Sequence, residues 1–289
     1  MTEDREGGFA GVGLMIAAVG LQSCSEAISK LMTGSIPAVE VAWLRYLVFT
    51  VAVVAGTLMS GRPPALRTQN VRVQVLRSAA AVMAAIFFIM ALAVLPMAEV
   101  TAISFAAPLL VTVFSIPILK EVVGTRRWVA VGTGLIGVLM IVRPGTGGFS
   151  PAAIFPLLSA AMWALALVVT RLASLSDRPI VSVTYAALVG LAVTSGIVPF
   201  AWRTPDQHTL VLGLAMGIFA TAAQFLTVEA LSREKASVLA PFFYGSLVWS
   251  ILFGYVLFNN LPDIWTYVGA AAIIASGLYT LRRKQRKPA

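Results

Sequence analysis

Histidine and cysteine occur once each in 289 residues, as His208 and Cys24, and only twelve residues are acidic. A single thiol forms no intrachain disulfide. One histidine and one cysteine also fall short of the three or four ligands of a zinc centre. Charge is scarce throughout, at 11% of residues against about 25% in a soluble domain. The aspartates Asp4, Asp177, Asp206 and Asp263 all fall in tails or connections, so no pair lies inside an apolar run to make an intramembrane aspartyl protease. His208 stands at the start of a run, where a membrane serine protease would need it beside its serine. No glycine-rich phosphate loop with a lysine occurs, which argues against direct ATP coupling. The inventory counts against an enzyme, and no cofactor is called for.

What the chain has in quantity is apolar residues: 59% of the total, with a mean hydropathy of +0.90. A helix crossing a bilayer needs about 20 such residues in succession. Ten runs meet that length, near 11–31, 38–60, 75–95, 98–118, 127–143, 151–171, 180–200, 208–230, 237–258 and 264–282. They are continuously apolar rather than alternating, which predicts helices and not a β-barrel. The expected fold class is an all-α membrane protein of ten transmembrane helices. Connections are short, the longest running from Ser60 to Gln74 through Pro63 and Pro64. The first residues, "MTEDREGG", lack the basic segment of a cleaved signal peptide, so the first run is expected to be retained.

The formal charge of +9 suggests nucleic acid until the cations are placed. Ten spans put both tails and the connections after runs 2, 4, 6 and 8 on one face. That face holds seventeen of the twenty-one basic residues; the opposite face holds Lys30, Arg143 and Arg203. Such a bias predicts cytoplasmic termini. The tail "RRKQRK" then reads as a topology anchor touching anionic lipid, and no nucleic-acid partner is expected.

Displacing the chain on itself by about 140 residues aligns several landmarks. "GGFAGVG" from Gly7 meets "GGFSPAA" from Gly147, and "SKLM" from Ser29 lies beside "TRLA" from Thr170. "ALAVLPMAEVTAISFAAPLL" from Ala91 meets "ALSREKASVLAPFFYGSLVW" from Ala230. "GTGLIGVLM" from Gly132 falls near "GAAAIIASGLY" from Gly269. Two five-helix halves are expected, residues 1–143 and 144–289. Five being odd, the second half enters the membrane from the opposite side. Inverted repeats are the architecture of many secondary transporters, with substrate near the midplane between the halves. Duplication also yields channels, but no segment resembles a selectivity filter or a ring of charges.

The "LRY" of Leu44–Tyr46, the block from Ala91 closing on Lys120–Glu121, and the glycine-bearing runs that end each half together resemble the EamA-type drug/metabolite transporters. The resemblance spans the whole chain as two repeats, and is greatest to the YddG-type amino-acid exporters of bacteria. It implies a ten-helix basket in the bacterial inner membrane, with a central cavity and alternating access. It also implies export of aromatic and other neutral amino acids or related metabolites. Export of other drugs or metabolites by proton exchange through Glu26 is the alternative. One departure is visible: the second block ends in Asn259–Asn260, where the repeat usually carries an acidic residue. Nothing marks a dimer interface, and a monomer of this size can work alone.

Arg45 is the one ionised residue of the stretch "VAWLRYLVFTVAVVAG", residues 41–56. It lies about two turns deep, roughly 10 Å at 1.5 Å per residue. Facing lipid there would cost at least about 2.5 kcal/mol, so it is expected to face protein or water. Glu40, five residues back, is on another face of the same helix. The acceptor must come from another helix, with Glu26 or helix-end carbonyls as candidates. Arg45 and Glu26 are accordingly expected as structural or coupling charges, with Lys30 one turn from Glu26. For a neutral amino acid the cavity needs an apolar wall and a few polar groups. Candidate substrate-binding residues are Met83 and Phe87 at helical spacing, Phe105 before Pro108, Trp163 beside Ser159 and after Pro156, Gln224, and Tyr244 after Pro241.

Overall fold

The structure, a computed structural model, describes residues 3–59, 66–120, 123–143, 150–173, 179–234 and 236–284. Among them there is no strand. The helices are α1 (Glu3–Met32), α2 (Ala38–Met59), α3 (Val71–Val94), α4 (Met97–Ser104), α5 (Ala107–Leu119) and α6 (Thr125–Val142) in the first half. The second half has α7 (Ile154–Ala173), α8 (Pro179–Ile197), α9 (Gln207–Arg233), α10 (Ala236–Phe243), α11 (Gly245–Phe258) and α12 (Ile264–Lys284). Among the described residues, eight helical stretches are long and apolar enough to cross a membrane, α4 and α5 counting together as Met97–Leu119. Two shorter apolar stretches, Trp128–Val142 and Ile264–Ser276, fall below that length. Among the described residues this measure gives eight spans where ten are expected; α6 and α12 are helical over runs five and ten, but only their shorter apolar stretches are counted.

Corresponding elements of the two halves share local devices. Asn70 caps α3 by accepting from the Val73 N–H at 3.2 Å, and Asp206 caps α9 by accepting from the Thr209 N–H at 2.8 Å. The Thr209 side chain and N–H hold the Asp206 carboxyl below the usual carboxylate range. Both α5 and α11 end on a left-handed residue, Lys120 at φ 55° and Asn259 at φ 51°. The side chain at Asn259 departs from the repeat pattern, but the backbone turn is the same at both places.

Three pairs of spans, one from each half, pack on one another and run antiparallel: α2 with α8, α4 with α11 and α6 with α12. Thr50 Oγ1 on α2 donates to the Ala187 carbonyl on α8 at 3.0 Å, and Trp43 Nε1 donates to Ser195 Oγ at 2.9 Å. Thr101 on α4 and Ser250 on α11 share a hydroxyl hydrogen bond of 2.7 Å. On α6 and α12 the contact is reciprocal. A Cβ on Gly137 would stand 2.7 Å from the Gly269 carbonyl oxygen, and one on Gly269 would stand 2.5 Å from that of Gly137. Glycine at both positions lets the backbones touch. Ser276 Oγ donates to the Ala130 carbonyl at 2.5 Å further along the same pair. The outer side of α6 is apolar and exposed (Val129, Leu135, Ile136 and Leu139), as a lipid-facing surface would be.

The remaining large interfaces are α1 with α9 and α3 with α7, each joining one half to the other. Ser25 Oγ donates to the Met216 carbonyl on α9 at 3.0 Å, and Ser159 Oγ on α7 donates to the Ala84 carbonyl on α3 at 2.9 Å. Gly213 and Gly217 of α9 lie against Leu44 and Val48 of α2. At the end where α1, α3 and α6 finish, Ala27, Leu92, Met97 and Val100 form a buried cluster with Phe155, Phe253 and Phe258. Arg143 pairs there with Asp263, which also accepts from the Thr266 N–H and hydroxyl at 2.9 and 2.8 Å. Burial pushes the Asp263 carboxyl up, but the Thr266 bonds and Arg143 outweigh it and hold the group below its ordinary value.

Candidate functional site

Two membrane-spanning stretches are interrupted, at equivalent places in the halves. Between α4 and α5 the chain tightens at Phe105 and Ala106, where the Ala106 N–H bonds the Ile103 carbonyl at 2.9 Å. Pro108 has no N–H to give the Ser104 carbonyl, so the regular ladder cannot pass through. Between α10 and α11 the same occurs at Tyr244, whose N–H reaches the Pro241 carbonyl at 3.2 Å. Phe105 and Tyr244 meet edge to face, with ring centroids 5.0 Å apart at 81°. Both side chains are half-buried. Discontinuous helices at a repeat interface are where transporters of this architecture place their substrates.

A second group joins α1 to α2. Gln22 Nε2 donates to Glu26 Oε1 at 3.0 Å, and Gln22 Oε1 accepts a long bond of 3.5 Å from Arg45 Nη2. The acceptor for Arg45 is Gln22 on α1, neither Glu26 nor a helix-end carbonyl, with Glu26 one bond beyond. Helix-end carbonyls serve a different cation: Lys30 Nζ donates to the carbonyls of Leu92 and Leu95 at 2.6 and 2.7 Å and lies 5.3 Å from the centroid of Phe258. Glu40, fully buried, accepts from the Arg203 N–H at 3.0 Å.

The other candidates are more dispersed. Met83 packs against the cluster of Met32, Val41, Leu44 and Ile86, and Phe87 is half-buried one turn on. Trp163 is 47% exposed on α7, in line with exposed Leu167 and Arg171. Gln224 is exposed on α9 beside Phe225 and Val228. The structure thus brings together Phe105 with Tyr244, and Arg45 with Glu26. It does not bring Trp163 or Gln224 to either group.

Residue reading alone misses Gln22, whose position one turn before Glu26 was the available signal. It also misses the α3–α8 network. There Gln74 bonds Ser182 Oγ at 3.2 Å and Arg77 donates to the Ser182 carbonyl. Arg77 is part of α3, not of the preceding connection. Among the described residues, no group of three or more His, Cys, Asp or Glu side chains could hold a metal ion.

Apolar spanning helices in two inversely packed halves, interrupted where the halves meet, define a membrane transporter. The chain belongs to the EamA-like transporter family, whose model matches it twice, over residues 9–143 and 150–282. A relative from Rickettsia conorii, an S-adenosylmethionine uptake transporter, is 25% identical over 96% of this chain and 94% of its own. A riboflavin transporter from Brucella anthropi is 30% identical over 86% of this chain and 89% of its own. One from Vibrio cholerae is 28% identical over 87% and 85%. A solved crystal structure with 22% identity superposes at a TM-score of 0.62, covering 96% of this chain and 99% of that one, and so shares the fold.

Proposed function

We propose that this protein is a secondary transporter moving a small metabolite with a flat aromatic group, by alternating exposure of a site between the two halves. Reading α6 and α12 as further spans gives ten, five in each repeat, with boundaries at 1–143 and 144–289. The observation that carries the proposal is the Phe105–Tyr244 pair at the two helix interruptions. One ring from each half meets there. A movement of one half against the other changes their separation and angle, so a flat group held between them is bound differently in the two states. Met83 and Phe87 on α3 are the proposed apolar wall. The names of the relatives fit this reading, since riboflavin and S-adenosylmethionine both carry a fused nitrogen heterocycle.

Export of aromatic and other neutral amino acids is the second reading. Its support is the Arg45–Gln22–Glu26 group, which offers both signs of charge. The names of the relatives do not favour it.

The test is counterflow in proteoliposomes with riboflavin, S-adenosylmethionine, phenylalanine, leucine and alanine. Phe105→Ala and Tyr244→Ala should weaken aromatic substrates about tenfold, the worth of one lost aromatic contact. They should weaken alanine less than about twofold, because lost area scales with side-chain size. Trp163→Ala, and a loss of the amide in Gln224→Leu, should follow the same pattern if those exposed positions touch substrate. Equal weakening across the panel would sink the aromatic site.

A further inference from the structure

The end of the bundle where α1, α3 and α11 finish is closed by one set of helices. α1, α3, α7, α4 and α11 pack in a circle, each against the next and α11 back against α1. At that end every member contributes to one apolar cluster: Ala27 of α1, Phe88 of α3, Val100 of α4, Phe155 of α7 and Phe253 of α11. Lys30 stands beside it. Its ammonium donates to the Leu92 and Leu95 carbonyls at the end of α3 and lies 5.3 Å from the centroid of Phe258, the last residue of α11. One cation is thus shared between the last turns of a first-half and a second-half helix.

The closure is one-sided. α4 and α11, on the far side of the two interruptions, pack on each other and share the 2.7 Å hydrogen bond between Thr101 and Ser250. On the near side the segments part: α5 packs on α6 and α7, and α10 on α1, α9 and α12. Among the described residues no comparable interface joins α5 to α10. In an inverted repeat α4 corresponds to α10 and α11 to α5, so the α4–α11 contact has an α10–α5 counterpart at the opposite end. The repeat allows both contacts, and only the first is made. The interruptions at Phe105–Ala106 and Tyr244 lie where each crossing helix would have to bend to exchange them.

We infer that α4 and α11 are the gate at the far end of the bundle, that Lys30 is its latch, and that the structure is the state open towards the chain termini. Opening the gate carries Phe258 away from Lys30 and parts the phenylalanine cluster. Lys30 stays on the α3 carbonyls, which belong to its own half. This rests on the alternating exposure proposed above and not on the aromatic site.

The latch is tested without any substrate. Val94 and Leu261 are exposed and stand just beyond the α3 and α11 ends that Lys30 joins. Spin labels on cysteines at these two positions, in a Cys24→Ser background of the full-length protein in lipid, report the width of the gate. The wild type should give a dominant short distance. Phe258→Leu keeps the apolar bulk and removes the ring face; Lys30→Met removes the charge. Each should raise the ratio of long to short distance about threefold, the worth of one cation–π contact. The double variant should rise no further, because both changes remove the same contact. Lys30→Arg should keep the wild-type ratio. A ratio indifferent to Phe258→Leu and Lys30→Met would overturn the latch. The gate is tested in unlabelled protein, where Thr101→Cys with Ser250→Cys should form a disulfide across α4 and α11. Counterflow should stop when the disulfide forms and return on reduction. Undiminished counterflow through the cross-linked protein would overturn the gate. Neither measurement alters Phe105 or Tyr244, so a failure here leaves the aromatic site standing. A substrate panel without aromatic preference would likewise leave the gate standing.

Discussion

Lys30 and Arg45, both within spans of the first half, meet different kinds of partner. Helical spacing puts Lys30 one turn from Glu26, yet its ammonium reaches across to the final carbonyls of α3. A helix end leaves its last carbonyls without donors, and a cation there also meets the negative end of the helix dipole. Lys30 thus ties α1 to the end of α3. Arg45, with one long bond, carries little of the packing. Lys30→Met should destabilise the protein by about 2 kcal/mol, the loss of two charge-assisted bonds, and Arg45→Ala by less than about 1 kcal/mol. Thermal unfolding in detergent distinguishes them. A drop for Arg45→Ala as large as that for Lys30→Met would show that Arg45 carries as much of the packing as Lys30. Glu40 shows the same limit of one-dimensional reading. Its separation from Arg45 was legible, but its actual partner is a backbone N–H at Arg203, brought in by the connection before α9.

At the scale of elements, the interruptions were legible and their meeting was not. Pro108 and Pro241 mark in sequence where a helix ladder must lapse, and Phe105 and Tyr244 stand next to them. That the two rings lie 5.0 Å apart depends on how α4 and α11 cross. Glycine carried similar partial information. The glycine-bearing runs that close each half signal a close approach, and the structure shows that they approach each other. Gly137→Ala or Gly269→Ala would drive a methyl group into a facing carbonyl oxygen. Each should cost about 1–3 kcal/mol by forcing α6 and α12 apart. Gly56→Ala, where nothing lies within 4 Å, should be neutral or slightly stabilising. Melting temperatures of the three variants decide the matter; a neutral Gly137→Ala would show that the α6–α12 contact yields easily. Asn259 is a case where the side chain misleads. It breaks the repeat in composition, but asparagine tolerates the left-handed conformation that ends α11, just as Lys120 adopts it at the end of α5.

For the whole molecule, inversion is the organising feature. Antiparallel packing of α2 on α8, α4 on α11 and α6 on α12 requires the halves to face opposite ways. We propose that the termini and the connections after α2 and α5 lie in the cytoplasm, from the seventeen-to-three distribution of basic residues. Cysteines placed in those connections in a Cys24→Ser background should resist an impermeant thiol reagent in intact cells. A cysteine placed between α8 and α9 should react. The reverse pattern would invert the assignment, and with it the end at which Lys30 and the Arg143–Asp263 pair close the bundle.

The sequence by itself determined the membrane class and the helical character of its apolar runs. Hydrophobic length and repetition are properties of the chain read in order, and the bilayer enforces them at every residue. It also supplied most of the chemistry-bearing residues, because polar groups within apolar runs are few enough to stand out. Only the tertiary structure decided which of them meet. Whether Arg45 finds Gln22, or Phe105 finds Tyr244, depends on helix crossing angles and on side-chain reach of a few ångströms. Those are set by packing small residues such as Gly137 and Gly269 across interfaces between segments distant in the chain.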